Sequence, residues 1–282
     1  MAEPKMPLGV FTSVGAGLGA SIDQLLELGV HTVQVHAPGP AERTRARAEE
    51  IADLFAQAGV RVTLVFCGYP GESYKSIPIV RDTVGLVPAA TRAERVEQTK
   101  QIAQFAAWLG APGIGVHVGF ISEDWESPEF AGTVDTVAEV ADYCSERDLT
   151  VNLETGQETA DTLLRVLETV DRPNLSVNFD PANMILYGSG EPLEALRKVG
   201  RYVKSCHCKD ATWSDRPGET WGLEVPLGKG DVGIPAFIAT LKDLGYSAPL
   251  TIEREISGAR QIADIKAGTE LLRQIKGRLG IA

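Results

Sequence analysis

Eight times along this chain, a short run of β-branched and apolar residues is followed by a longer stretch with helical spacing. The short runs are LGVFTS (8–13), HTVQVH (31–36), RVTLVF (61–66), GIGVHV (113–118), LTVNLE (149–154), LSVNFD (175–180), YVKSCH (202–207) and PLTIER (249–254). The helical stretches fall near 20–28, 41–58, 92–109, 132–147, 158–169, 192–199, 234–244 and 258–277. A strand joined to a parallel neighbour through a helix is a βαβ unit, and eight units closing on themselves make a TIM barrel. The expected fold class is therefore α/β, a single (β/α)8 TIM barrel with residues 1–282 as one domain. A doubly wound open sheet gives the same alternation, usually with fewer units and often with G-x-G-x-x-G after the first strand. Here Gly15, Gly17 and Gly19 are spaced G-x-G-x-G, and no acidic residue closes the second strand. That segment reads as a βα loop, not a cofactor cradle. LFAQAGVRV, AAWLGAPGI and LKDLGYSAP each place a glycine where a helix should end in a left-handed cap.

Charge narrows the partners. Against 27 Lys and Arg stand 38 Asp and Glu, a net of −11. Arg43, Arg45 and Arg47 are interleaved with Glu42, Glu49 and Glu50, as on a solvated helix face. A nucleic acid is not an expected partner. No run approaches the ~20 apolar residues of a membrane helix, so no membrane partner is expected. The first residues carry no signal-peptide pattern, and Cys67, Cys144, Cys206 and Cys208 are not arrayed as a disulfide framework. A cytoplasmic setting is the expectation.

In a parallel barrel the strand interiors are apolar, and chemistry gathers at the C-terminal strand ends. Strand two ends in His36, strand four in His117, strand five in Glu154, strand six in Asp180, strand seven in His207 and strand eight in Glu253. Each has an ordinary structural explanation alone: a loop salt bridge, an Asp-Pro turn, a core histidine. Together, Glu154, Asp180, His207 and Glu253 come from four consecutive strands that lie about 4.8 Å apart, so they can converge. Three carboxylates and one neutral imidazole sum to −3 and suit a divalent ion. Mn²⁺ or Mg²⁺ comes first, with Co²⁺ or Zn²⁺ as further candidates. Strand alternation points Cys206 and Cys208 away from His207, as packing residues, and gives Lys209 the parity of His207.

NLETG (152–156), NFDPANM (178–184), CHCKDA (206–211), LGKGDV (227–232) and TIERE (251–255) resemble the sugar phosphate isomerase/epimerase group of the xylose isomerase-like TIM barrel superfamily. The resemblance runs in order along nearly the whole chain. It implies one divalent metal held by Glu154, Asp180, His207 and Glu253. It also implies that the two glutamates exchange a proton with a carbon beside a ketone, through a metal-stabilised enediolate. One position departs from the pattern: ketose 3-epimerases of this group carry histidine three residues after the aspartate, where this chain has Asn183. Asparagine can hydrogen-bond a hydroxyl but cannot shuttle a proton near neutral pH. His36 and His117 then become candidates for substrate binding or proton transfer.

The loops suit a small polar ligand. Residues 67–90 are long enough for a lid. The segment 208–231 holds Trp213, Arg216, Trp221 and Lys229, an aromatic and cationic set suited to stacking on a sugar ring, and Trp125 is similar. The substrate contacts expected are His36, His117, Asn183, Lys209, Trp213 and Arg216. The leading expectation is a divalent-metal-dependent isomerase or epimerase of a sugar or cyclitol, with Glu154 and Glu253 catalytic. A lyase on the same scaffold, an inosose dehydratase or 3-keto-glycoside eliminase, is the alternative, and a non-catalytic sugar-binding barrel stands third. An abasic-site endonuclease would need more than four histidines and a basic face. A homo-oligomer is left open.

Overall fold

Alternating side-chain direction and β-branched content set the barrel strands. The computed structural model describes residues 5–13 and 20–281. The strands are β1 (Leu8–Ser13), β2 (Thr32–His36), β3 (Arg61–Phe66), β4 (Gly113–Val116), β5 (Thr150–Glu154), β6 (Leu175–Phe179) and β7 (Val203–Cys208). A short hairpin, β8 (Asp210–Thr212) and β9 (Leu223–Val225), precedes the last barrel strand, β10 (Leu250–Ile252). The parallel strands close in the order β1-β10-β7-β6-β5-β4-β3-β2. The fold is a TIM barrel.

The helices are α1 (Ile22–Glu27), α2 (Arg45–Gln57), α3 (Ile77–Thr83), α4 (Ala89–Leu109), α5 (Pro128–Ser145), α6 (Ala160–Val170), α7 (Pro181–Tyr187), α8 (Pro192–Val199), α9 (Ile234–Asp243) and α10 (Ala259–Leu279). Among the described residues no helix is long and apolar enough to cross a membrane. Gly59, Gly110 and Gly245 all take positive φ where the sequence places helix ends. The triple glycine at 15, 17 and 19 lies outside the described residues.

The structure adds three elements to the sequence reading. Helix α3 folds inside the 67–90 segment, with Ser76 capping its first turn. Helix α7 starts directly after Asp180, so Asp-Pro begins a helix and not merely a turn. The β8–β9 hairpin organises 208–231. The Asp210 carboxylate gathers that loop by accepting from the backbone N–H groups of Ala211, Gly228, Gly230 and Val232.

Outward-facing strand residues such as Val33, Val65, Leu153, Val177, Cys206 and Cys208 belong to the buried apolar core. The interior departs from the apolar expectation. Below the strand ends it holds Gln34, Asn152, Asn178 and Ser205, all buried. These side chains bond one another: Gln34 donates to Asn178 at 3.3 Å, and Ser205 to Asn152 at 3.4 Å. Pairing of this kind is what makes buried amides tolerable. Two register shifts adjoin the layer, between Val33 and Gln34 and between Val177 and Asn178. Such irregularities re-aim side chains beside functional sites.

Candidate metal centre

Glu154 closes β5, Asp180 follows β6, His207 lies in β7 and Glu253 follows β10. One ligand atom from each lies within 4.8 Å of all the others. His207 Nδ1 is the hub, 2.7 Å from Glu154 Oε1, 3.2 Å from Glu253 Oε2 and 3.5 Å from Asp180 Oδ2.

The two oxygens of Asp180 have separate tasks. Oδ1 caps α7 by accepting from the N–H groups of Ala182 and Asn183 at 2.8 and 2.9 Å. Oδ2 is buried with no hydrogen-bond partner and faces the cluster. Thr155 locks this turn, its hydroxyl donating to Asp180 O and accepting from Asp180 N, both at 2.8 Å.

The tautomer of His207 follows from its other nitrogen. Glu154 Oε1 accepts from Asn178 Nδ2 at 3.4 Å. Asn178 Oδ1 is then free to accept from Gln34 Nε2, which turns Gln34 Oε1 toward His207 Nε2 at 2.5 Å. An ionised carboxylate only accepts, so the whole chain has one polarity and ends with His207 Nε2 as a donor. Its Nδ1 therefore meets three carboxylates and has no hydrogen-bond partner of its own. A positive charge must sit there, a proton or a metal ion. Burial alone would lower the His207 pKa, but the charges of Glu253 and Glu154 outweigh it and raise it well above the ordinary imidazole range. Burial likewise pushes Asp180 up, to about 6, against the pull of Lys209. The donor set, the orphaned Asp180 oxygen and the fixed imidazole all fit one hard or borderline divalent cation.

The sequence missed Gln34 and Asn178. A glutamine inside the apolar run TVQVH was the available signal, because a buried amide demands a partner. Phe11 and Phe66 were missed too. Their rings pack against the His207 ring with centroids 5.4 and 5.1 Å away. Gly115 makes this fit, since a Cβ there would lie 2.4 Å from the Phe66 ring.

Lys209 is buried and its Nζ meets Glu255 at 2.9 Å, Glu253 at 3.2 Å and Asn183 Oδ1 at 3.1 Å. His117 Nε2 lies 2.9 Å from Glu154 Oε2. Burial opposes its protonation, yet the Glu154 charge raises its pKa to about 9. His36 borders the same cavity as Glu154 and Glu253, and Asn183 borders an adjoining one. Trp213 and Arg216 border neither. Trp213 packs on the core, and Arg216 pairs on the surface with Glu219 at 3.3 Å. The hairpin instead carries Trp221 to the mouth.

The family model described as xylose isomerase-like TIM barrel matches residues 22–275. The chain belongs to this family. A solved xylose isomerase domain protein from Planctomyces limnophilus is 48% identical, with TM-score 0.94, over 99% of this chain and 100% of that one. A 3-dehydroshikimate dehydratase of Bacillus anthracis is 25% identical over 62% of this chain and 68% of its own length. An uncharacterized protein of Methanocaldococcus jannaschii, MJ1311, is 23% identical over 64% of this chain, and the match spans 61% of that relative's length. Two more distant barrels share the fold. One is a Mycobacterium smegmatis protein solved with magnesium (18% identity, TM-score 0.69, 97% and 96% of the two chains). The other is a Methylomonas D-allulose 3-epimerase solved with D-allulose (17%, TM-score 0.69, 96% and 97%). Barrels of this fold thus include a D-allulose 3-epimerase, and one sequence relative is a 3-dehydroshikimate dehydratase.

Proposed function

We propose that this xylose isomerase-like barrel is a divalent-metal-dependent isomerase or epimerase that moves a proton on a carbon beside a ketone. One observation carries the reading. Of the four clustered residues, only Glu154 and Glu253 border the open cavity, while Asp180 and His207 are wholly buried behind them. The buried pair holds; the bordering pair both holds and reaches the ligand. A magnesium complex in one fold neighbour supports a hard divalent ion, with Mn²⁺ or Mg²⁺ as our assignment. Such an ion supplies Lewis acidity, polarising a ketone and stabilising the negative charge that develops on its oxygen.

The rest falls to the chain. Glu253 takes the proton from the carbon beside the ketone, and Glu154 returns a proton to that carbon's opposite face or to its neighbour, drawing it from the protonated His117 against its Oε2; the proton left on Glu253 passes through solvent to restore His117. Lys209 holds the Glu253 carboxylate ionised: burial would raise its pKa, but His207 and Lys209 draw it well below the ordinary value. His117 orients Glu154 through Oε2. Asn183 Oδ1 is committed to Lys209, so its amide N–H groups remain to donate to a substrate hydroxyl.

Asn183 also favours a second reading, a lyase, because it cannot supply the proton that a histidine could, and a dehydratase stands among the relatives. The first step would be shared, followed by loss of a β leaving group. Incubation with keto-sugars and keto-cyclitols in D₂O tests both readings. Deuterium incorporation at unchanged skeleton mass supports isomerisation, and loss of water or of an alcohol supports the lyase. No incorporation and no product with any Mn²⁺-loaded sample would end both.

A further inference from the structure

The cavity at the barrel mouth has two lobes, and only one of them touches the cluster. The inner lobe, about 250 Å³, is bordered by Glu154, Glu253, His36, Phe11 and Phe66. The outer lobe, about 440 Å³, is bordered by Asn183, Leu186, Tyr187, Trp221 and Glu224. Tyr74, His117 and Glu255 border both, so a ligand filling one lobe reaches the other. The inner lobe alone falls below the roughly 300–1,000 Å³ of ordinary small-molecule sites, and the two together fall within it.

The outer lobe is not a polar vestibule. Trp221 packs on Tyr187 with ring centroids 4.7 Å apart, and Phe120 braces Tyr187 edge-on at 5.7 Å. Tyr187 and Trp221, with Phe120 behind them, make a rigid wall of the kind on which the C–H face of a sugar ring stacks. Tyr74 stands at the junction of the lobes with 48% of its surface exposed, and a ring laid across that junction would cover it.

Charge sets a second condition. Glu72, Glu154, Glu253, Glu224 and Glu255 border the lobes. Among the described residues, Arg254 is the Arg or Lys that borders the lobes, and it is engaged by Glu224 and Asp264 at 3.0 and 2.9 Å; Lys209 behind them is held by Glu253 and Glu255, and His117 by Glu154. A phosphate or carboxylate on the ligand would find no unengaged Arg or Lys among these bordering residues and several carboxylates to repel it.

We propose that the substrate is an uncharged two-ring ketone, a glycoside whose ketone-bearing ring lies beside Glu154 and Glu253 and whose second ring lies against Trp221. This deepens the proposed function and rests on it for the placement of the ketone. The test titrates Mn²⁺-loaded protein calorimetrically with 3-ketolactose, D-fructose and D-fructose 6-phosphate, and follows C–H exchange in D₂O on the same samples. The expected result is that 3-ketolactose binds at least about tenfold more tightly than D-fructose and that the phosphate ester binds more weakly than either. Trp221→Ala should weaken 3-ketolactose on the order of tenfold and leave D-fructose unchanged. Equal affinity for one and two rings, equal losses for both ligands in the Trp221 variant, tighter binding of the phosphate ester, or no binding of 3-ketolactose would each overturn the inference. The two claims fail separately. Trp221-dependent binding of 3-ketolactose without exchange sinks the chemistry and keeps the subsite. Exchange on D-fructose at an affinity equal to that for 3-ketolactose sinks the subsite and keeps the chemistry.

Discussion

The half of the mouth built from β5, β6, β7 and β10 presents Glu154, Asp180, His207 and Glu253, whereas the half built from β1 to β4 presents Phe11, His36, Phe66 and His117. One half concentrates negative charge; the other supplies imidazoles and an apolar wall against the His207 ring. The contrast explains why the cluster calls for a cation. Carboxylates backed by aromatic rings are poorly solvated, so their mutual repulsion is felt at a lower effective dielectric than in water. Gln34 crosses from the imidazole half to the acidic half and ties the two together through His207 and Asn178.

Removing charge from the acidic half should have the greatest consequence. Glu154→Gln or Glu253→Gln should retain a native circular dichroism spectrum and lose about 10²–10⁴-fold in exchange rate. Undiminished exchange in either would end its assignment as a proton-transfer group. On the opposite half, Phe66→Ala should cost about 3–5 kcal/mol in urea unfolding, because it opens a cavity over His207 that Gly115 cannot fill. A cost below about 1 kcal/mol would show that the apolar wall is not tightly packed.

The link between the halves gives an intermediate effect. Gln34→Leu removes the acceptor that fixes the His207 tautomer and should weaken Mn²⁺ binding about 10–100-fold in a chelator competition. Gln34→Glu keeps an acceptor there and should hold affinity within a few-fold of the parent. Equal losses in both would mean that position 34 acts through packing alone.

Glu158, four residues beyond Glu154, gives the mildest test. It is buried, and neither carboxyl oxygen has a hydrogen-bond partner. Burial raises its pKa from 4.5 to about 7. The folded chain therefore binds more protons here than the unfolded chain between those pH values, and its stability falls as pH rises through that window. Below about pH 4.5 both states are protonated and the effect vanishes. Glu158→Gln should stabilise the metal-free protein by about 1–3 kcal/mol at pH 8 and hardly at all at pH 4, read from urea midpoints. A gain of the same size at both pH values would point to packing instead of charge.

How far the sequence could be read differs between these same regions. The acidic half was legible: strand alternation is local stereochemistry, so E, D, H and E at four successive strand ends could be assigned to one rim directly. The same alternation separated Cys206 and Cys208 from His207, and both cysteines lie in the core. The imidazole half was read only in part. His36 and His117 stood out as polar strand ends, while Phe11 and Phe66 looked like ordinary core residues, because packing across a barrel joins strands far apart in sequence. Position 213 was favoured over 221 for ligand contact, and the β8–β9 hairpin reversed that order by folding the segment back on itself.

By itself, then, the sequence determined the number of strand–helix units, the rim on which the charged groups stand and the identity of the four clustered side chains, because each is encoded in the spacing of neighbouring residues. Only the tertiary structure decided which imidazole nitrogen faces the carboxylates, which of the four residues reach the cavity and which tryptophan walls it. Those depend on register shifts and on contacts between residues more than a hundred positions apart, as with Gln34 and His207. Closure of the barrel sets such contacts, and no local pattern contains them.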